Sequence, residues 1–126
     1  MTIATVDIDH FKDFNDRHGQ AAGDRALTRL ARQIENVQRE GDVLGRLDGD
    51  QFLLLLPGSD LQQTHELITR LRRALISDPV DIPDDGPGIS VSVGTASRSG
   101  HNESIDRLIA SAHAALYAEK RLRPEV

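Results

Sequence analysis

Apolar residues recur along this chain in two rhythms, and the switches between them mark out its elements. Residues 2–6 are a short β-branched and apolar run that reads as a strand. Residues 10–18 form an amphipathic stretch read as a short helix, and residues 24–39 place Ala26, Leu27, Leu30, Ala31, Ile34 and Val37 on one helical face. Two further strands are predicted at 43–47 and 51–56. The run Leu53-Leu54-Leu55-Leu56 does not alternate, which predicts a central strand covered on both faces, and Pro57-Gly58 ends it. Asp60 with Gln63 is a capping-box pattern that opens a helix through Leu61, Leu67, Ile68, Leu71 and Leu75. Residues 77–88, with Pro79, Pro83 and Pro87, read as a loop holding an edge strand at 80–82. Residues 89–93 alternate strictly and read as a half-buried strand. Ser104 caps a last helix that sets Ile105, Leu108, Ile109, Ala112, Ala115 and Leu116 on one face. This order predicts an α+β fold, an antiparallel central sheet flanked by helices in a ferredoxin-like or palm-like arrangement.

Leu47-Asp48-Gly49-Asp50-Gln51-Phe52 separates the two middle strands. Asp-Gly is the strongest short hairpin signal, because a two-residue primed turn needs positive φ at both central positions; Asp48 and Gly49 are therefore placed in the turn. Asp50 then stands at a rim of the sheet. A second carboxylate stands where the first strand ends, in Asp7-Ile8-Asp9, and two such groups together suit a divalent cation. In isolation, aspartates of this kind more often solvate strand ends and turns.

The wider pattern changes that balance. Val6-Asp7-Ile8-Asp9-His10-Phe11-Lys12-Asp13-Phe14-Asn15-Asp16, followed by Gly19, Gly23-Asp24 and the stretch from Asp48 to Phe52, resembles a GGDEF domain. That bacterial family condenses GTP into cyclic di-GMP. The match runs in register from Thr2 to Lys120, although the signature itself reads Asp-Gly-Asp-Gln-Phe. The family's D-x-L-T-x-L-x-N-R segment upstream of the first strand has no counterpart, and neither does the G-R-N segment after the last helix. Residues 1–126 are accordingly read as a single GGDEF-like domain, either trimmed at both ends or a fragment of a longer chain.

The resemblance implies a site residue by residue. Asp7, the backbone carbonyl of Ile8 and Asp50 would hold Mg2+ against the triphosphate, with Asp50 and Lys120 in catalytic positions. Phe11, Lys12, Asn15, Asp24 and Gly49 fall at substrate-binding positions; Asn15 and Asp24 would read the guanine edge, an amide and a carboxylate together matching its donors and acceptors. Lys12 and Lys120 match phosphate-contacting lysines, and they are the only two lysines beside thirteen arginines. Arg39-Glu40-Gly41-Asp42 fits the family's R-x-x-D inhibitory site for cyclic di-GMP, since arginine grips guanine O6 and N7 while aspartate accepts from the opposite edge. Arg70 matches the secondary arginine of that site. The alternative for Arg39 and Asp42 is a surface salt bridge, worth roughly 0.2–0.5 kcal/mol.

Three positions argue against normal turnover. Asp48 replaces the first signature glycine, and a like-charge contact with phosphate at ~4 Å and an effective dielectric near 20 costs about 4 kcal/mol, on the order of a thousandfold in rate. Gln51 replaces a glutamate and cannot be an anionic ligand or a base. His113 stands where the family has an aspartate.

Composition bounds the rest. A chain of 126 residues, 38% hydrophobic and 28% charged, supports one modest core. The absence of cysteine excludes a disulfide framework or thiolate metal site, and the five histidines lack paired zinc spacing. No apolar segment approaches the ~20 residues that span a bilayer and no leader opens the chain, so a cytoplasmic location is expected. A net charge of −5 with 3% aromatic residues gives no footprint for polymeric nucleic acid. The expected partners are GTP and/or cyclic di-GMP, a second copy in a homodimer, and other signalling domains or proteins. Three functions are compatible with these residues: a degenerate nucleotide-binding regulatory module with weak or no cyclase activity, a working diguanylate cyclase, and an interaction scaffold that binds no nucleotide.

Overall fold

A computed structural model describes residues 1–77, 89–98 and 103–122. The predicted edge strand at 80–82, the loop around it and the final residues 123–126 lie outside the described residues, as do the side chains of Asp48, Ser77 and Leu122. The elements run β1 (Thr2–Ile8), α1 (Phe11–His18), α2 (Gln20–Val37), β2 (Val43–Asp48), β3 (Gln51–Leu56), α3 (Leu61–Ser77), β4 (Val91–Ser97) and α4 (Ile105–Leu122). The strands form an antiparallel sheet in the order β2-β3-β1-β4, the ferredoxin-like arrangement expected.

Strand β1 is buried along its whole length, because helices cover both faces of the sheet there. Side chains alternate along a strand, so Ala4, Val6 and Ile8 join Phe52, Leu54 and Leu56 of β3 under α2 and α3, where Leu30, Ile34, Leu67 and Leu71 close the main core. Ile3 faces the other way, onto Leu108 and Ala112 of α4, with Leu53 and Leu55 packed beside them. The four leucines of β3 therefore divide between two layers. That strand lies inside the sheet as expected, but its second face is half-buried, and β1 is the strand covered on both sides.

Strand β1 runs on to Ile8 rather than ending at residue 6, which places Asp7 within it, and three further boundaries differ, each for a local reason. Helix α2 starts at Gln20 rather than 24, because Gly19, at φ 91°, already breaks it from α1 and Gly23 lies inside the helix. A Cβ on Gly23 would sit 1.7 Å from Oδ1 of Asn15, so this glycine makes room for the α1 side chain packed on it. Strand β4 spans Val91–Ser97 rather than 89–93, since it pairs with the full length of β1 from Ile8 to Thr2. Val91 and Val93 face the main core while Ser92 is buried on the α4 side, so this part of the strand has two covered faces rather than one wet one. In the hairpin, Asp48 pairs with Gln51, leaving Gly49 and Asp50 as the turn. Neither has positive φ; a bulge between Arg46 and Asp48 supplies the extra twist that a primed turn at Asp48-Gly49 was expected to give.

The predicted caps form. Asp60 Oδ1 accepts from the Gln63 N–H at 2.8 Å while Gln63 Oε1 accepts from the Asp60 N–H at 3.0 Å, and Ser104 Oγ accepts from the Arg107 N–H at 3.2 Å.

Helix α4 approaches β4 most closely at Gly94, where a Cβ would lie 2.0 Å from the Ala112 carbonyl oxygen and 2.4 Å from the Leu116 nitrogen. Both obstacles are backbone and cannot rotate away. Gly94→Ala is expected to destabilise the domain by at least the roughly 1–3 kcal/mol of core overpacking, read from denaturant midpoints; an unchanged midpoint would mean that α4 does not sit this close.

Candidate functional site

The rim where β1 ends and the β2–β3 hairpin turns gathers most of the sequence-predicted residues. Asp7 stands on the α4 face of β1, cross-strand from Gln51 on one side and Ser92 on the other. It was expected at an exposed rim, yet it is 4% exposed, because α4 passes over it. Lys120, near the C-terminus of α4, donates from Nζ to Asp7 Oδ2 as a part-buried ion pair. Asp7 Oδ1 is buried with no hydrogen-bond partner. Burial raises the Asp7 carboxyl above its ordinary 3.8; the Lys120 ammonium opposes that rise, and the like charge of neighbouring Asp50 adds to it.

Asp9 is positioned by different chemistry. Its carboxylate accepts from Ser90 Oγ at 2.6 Å and Ser92 Oγ at 2.5 Å, and its N–H donates to the Ser90 carbonyl at 2.9 Å. These bonds fasten the start of β4 to the end of β1. Between them, His10 adopts the left-handed conformation at φ 56° and opens α1 without a side-chain cap. A non-glycine residue held there is uncommon, and it turns the chain sharply from strand into helix.

Helix α1 carries the next group. Phe11 and Phe14 stack with centroids 6.4 Å apart and Phe14 tilts against His18 at 4.7 Å, which anchors the helix on its apolar side. Lys12 is exposed on it, and Asn15 packs on Gly23 with its Oδ1 buried and unpartnered. Asp24, next in chain to Gly23, is exposed on α2. The α1–α2 packing thus brings the two predicted guanine readers to one junction, with Asp24 one turn inside α2 rather than at its start.

Arg46 and Glu119 had no place in the sequence reading. The Arg46 guanidinium donates to the Gly49 carbonyl and lies 5.6 Å over the Phe52 ring, so one side chain braces the turn that carries Asp50. Glu119 accepts from the Val93 N–H at 3.1 Å and from Arg72 at 2.8 Å, while Arg72 also reaches the Val91 carbonyl at 3.3 Å. This pins the end of α4 beside Lys120. Spacing offered no signal for Glu119, which meets residues 26 and 47 positions away; Arg46 was open to recognition as the cross-strand partner of Phe52.

Arg39 and Asp42 form a separate feature at the α2–β2 junction. Asp42 Oδ2 accepts from the Arg39 N–H at 2.8 Å, the Asp42 N–H returns a bond to the Arg39 carbonyl at 3.0 Å, and Gly41 supplies the positive φ of 91° that this turn needs. The backbone shapes the turn and leaves the guanidinium exposed. With Pro57, Gly58 and Ser59 it borders a concavity of about 320 Å3. Arg70 is exposed on α3 and does not line it.

The family model described as the diguanylate cyclase GGDEF domain matches residues 1–124. The chain belongs to the GGDEF-domain family. It is 35% identical over 121 residues to diguanylate cyclase DgcP of Pseudomonas aeruginosa and 36% identical over 119 residues to diguanylate cyclase DgcM of Escherichia coli, covering 96% and 94% of this chain. It spans only 18% and 28% of those two proteins. Among solved structures it superposes on the P. aeruginosa diguanylate cyclase SiaD, crystallised with its activator SiaC, with TM-score 0.88 at 34% identity over 97% of this chain and 46% of that one. The GGDEF domain of Caulobacter crescentus DgcB, crystallised with c-di-GMP, gives 0.86 at 31% identity over 97% and 72%. These likenesses establish the α+β palm-like fold of the family. No described helix is long and apolar enough to cross a membrane.

Asp7 and Asp50 suit a divalent cation: a buried carboxylate oxygen lacks a partner and a second carboxylate stands beside it. Among the described residues no third acidic, histidine or cysteine side chain completes a set, so further ligands would have to come from backbone, water or phosphate. Holding Asp7 here costs stability. Its folded-state pKa lies above 3.8, so the folded chain binds this proton more tightly than the unfolded chain, and stability falls as pH rises from 3.8 through the folded value. Asp7→Asn is therefore expected to be at least as stable as wild type at pH 7, with the advantage vanishing below 3.8, in denaturant titrations across pH. A variant weaker at pH 7 than in acid would show instead that the Lys120 pairing outweighs burial.

Proposed function

We propose that this chain is a degenerate GGDEF module of bacterial cyclic di-GMP signalling, retained to bind guanine nucleotide as a regulatory domain with weak or no cyclase activity. The observation that carries the reading is the Asp7 environment: a buried carboxylate with one unpartnered oxygen, beside Asp50 and under Lys120. That arrangement serves ligand binding better than it serves folding. Asp7, Asp50 and the Ile8 carbonyl would hold magnesium, which when bound would offset triphosphate charge and polarise the α-phosphate. Lys12 on α1 and Lys120 on α4 would flank the phosphates, and Asn15 with Asp24 would read guanine at the α1–α2 junction. Phe11 would contribute to the same pocket, and Gly49 would allow close approach at the turn.

Gln51 is the position that separates binding from turnover. It pairs cross-strand with Asp7, so its amide would lie close to a metal held there, yet it can neither ligate as an anion nor accept a proton at neutral pH. Asp48, one residue before the turn, adds negative charge to the same hairpin. Purified protein with GTP and magnesium is expected to make little or no cyclic di-GMP even when concentrated enough to form dimers. Turnover of roughly 1 per second or more, ordinary for an enzyme, would overturn the degenerate reading. The double change Asp48→Gly with Gln51→Glu tests the same point, restored activity identifying the hairpin as the defect.

The Arg39–Asp42 turn supports cyclic di-GMP as a second ligand. Its concavity, about 320 Å3, lies at the lower end of small-molecule pockets, roughly 300–1,000 Å3, and the Arg39 guanidinium is presented rather than tied down. Calorimetry is expected to show cyclic di-GMP binding that Arg39→Ala weakens by about 1–3 kcal/mol, the worth of a bidentate guanine contact, while thermal stability barely moves. A smaller loss is expected for Arg70→Ala, since Arg70 stands outside the concavity. Absence of binding at millimolar ligand would leave the scaffold reading as the better account.

A further inference from the structure

The contact between Lys120 and Asp7 assigns a second role to this lysine. We propose that the Lys120 ammonium is the resident counter-ion of the Asp7–Asp50 pair, excluding a bare divalent cation until a nucleoside triphosphate draws the lysine away. The second half rests on the nucleotide-binding reading above; the first half stands on the geometry alone.

The Lys120 Nζ sits on one oxygen of the Asp7 carboxylate, and the other oxygen is buried and unpartnered. A divalent cation entering between Asp7 and Asp50 would meet a positive charge already bound to the same carboxylate. Among the described residues no three acidic, histidine or cysteine side chains are placed to hold a metal together, so cation and ammonium compete for the same two carboxylates. A metal–triphosphate complex changes the sum. It brings its own negative charge, and it gives the ammonium a phosphate to move to while the metal takes Asp7.

The lysine has freedom for that exchange and its helix does not. The Lys120 side chain is 36% exposed, against 6% for Asp7, so its head can leave the carboxylate for solvent or for a phosphate. The neighbouring Glu119 is bonded to the Val93 N–H and to Arg72, which holds the backbone of this helical turn on the sheet. Movement is thereby confined to one side chain swinging over a fixed site. Since the nucleotide removes the metal's competitor, metal and nucleotide must favour each other's binding by one reciprocal factor.

The test measures Mn2+ on the full chain without nucleotide, by the electron paramagnetic resonance signal of the free ion. Wild type is expected to bind weakly, Lys120→Met about tenfold or more tightly, and Lys120→Arg as weakly as wild type because the charge is kept. The gain must vanish in the double variant Asp7→Asn with Lys120→Met, which ties it to this carboxylate. With a non-hydrolysable GTP analogue and Mn2+ present, Lys120→Met should bind the complex less tightly than wild type, an effect of opposite sign. Mn2+ affinity that is unchanged or lower in Lys120→Met overturns the counter-ion. If that variant melts well below wild type, Lys120→Gln takes its place under the same criterion. Failure of wild type to bind the analogue would sink the nucleotide reading, while the Mn2+ series would still decide the counter-ion.

Discussion

Helix α4 lies on the sheet backbone against backbone, and that contact requires residue 94 to carry no side chain. Much of the second face follows from it. Thr5 fills the seam with a hydroxyl directed at the Gly94 and Ala112 carbonyls, 3.5 Å from each, and Leu108, Ala112 and Leu116 are buried. From Ala112 to Lys120 the helix advances about 12 Å, whereas two residues of strand from Thr5 to Asp7 advance about 7 Å. The difference is closed by the lysine itself, whose side chain leans back toward the helix N-terminus as helical side chains do. A helix held farther out by even one methyl group would carry Lys120 away from the carboxylate.

Within this frame the rim divides its acidic groups by environment. Asp9 is satisfied by two serine hydroxyls and serves as a clasp between strands. Asp7, two residues earlier on the same face, is buried and only half satisfied. Strand alternation places them on one side of the sheet, and the cover provided by α4 makes them different. A carboxylate kept where folding would favour a neutral group is a recognised mark of a functional position.

Much of the fold was legible in the sequence because its signals are local. The apolar periods of α2, α3 and α4, the Asp60–Gln63 capping box and the Ser104 cap all depend on residues within a turn or two of one another, and they appear as predicted except that Leu61 and Ile105, in the first turns of α3 and α4, are exposed. The misplacements arise where tertiary packing outweighs local chemistry. Gly23 looked like a helix boundary and is a packing notch for Asn15; Asp-Gly looked like a primed turn and is displaced by a bulge; the serine–valine alternation looked like one wet face and is two covered ones. The site was legible through the pattern it resembles. The burial of Asp7 and its pairing with Lys120, 113 residues away, depend on how α4 lies over the sheet. No spacing rule encodes that placement.

The Arg72–Glu119 pair also bears on what this sheet can join. Strand β4 ends the order of described strands, and a terminal strand ordinarily offers a ladder of free amides and carbonyls to any extended segment that drifts past. Here the Val93 amide and the Val91 carbonyl are already answered by a carboxylate and a guanidinium that also answer each other. An incoming strand would have to break an ion pair as well as lose its own hydration, which disfavours accidental sheet-to-sheet aggregation along this stretch. Two side chains that steady a helix thereby also occupy part of the hydrogen-bonding edge of this strand.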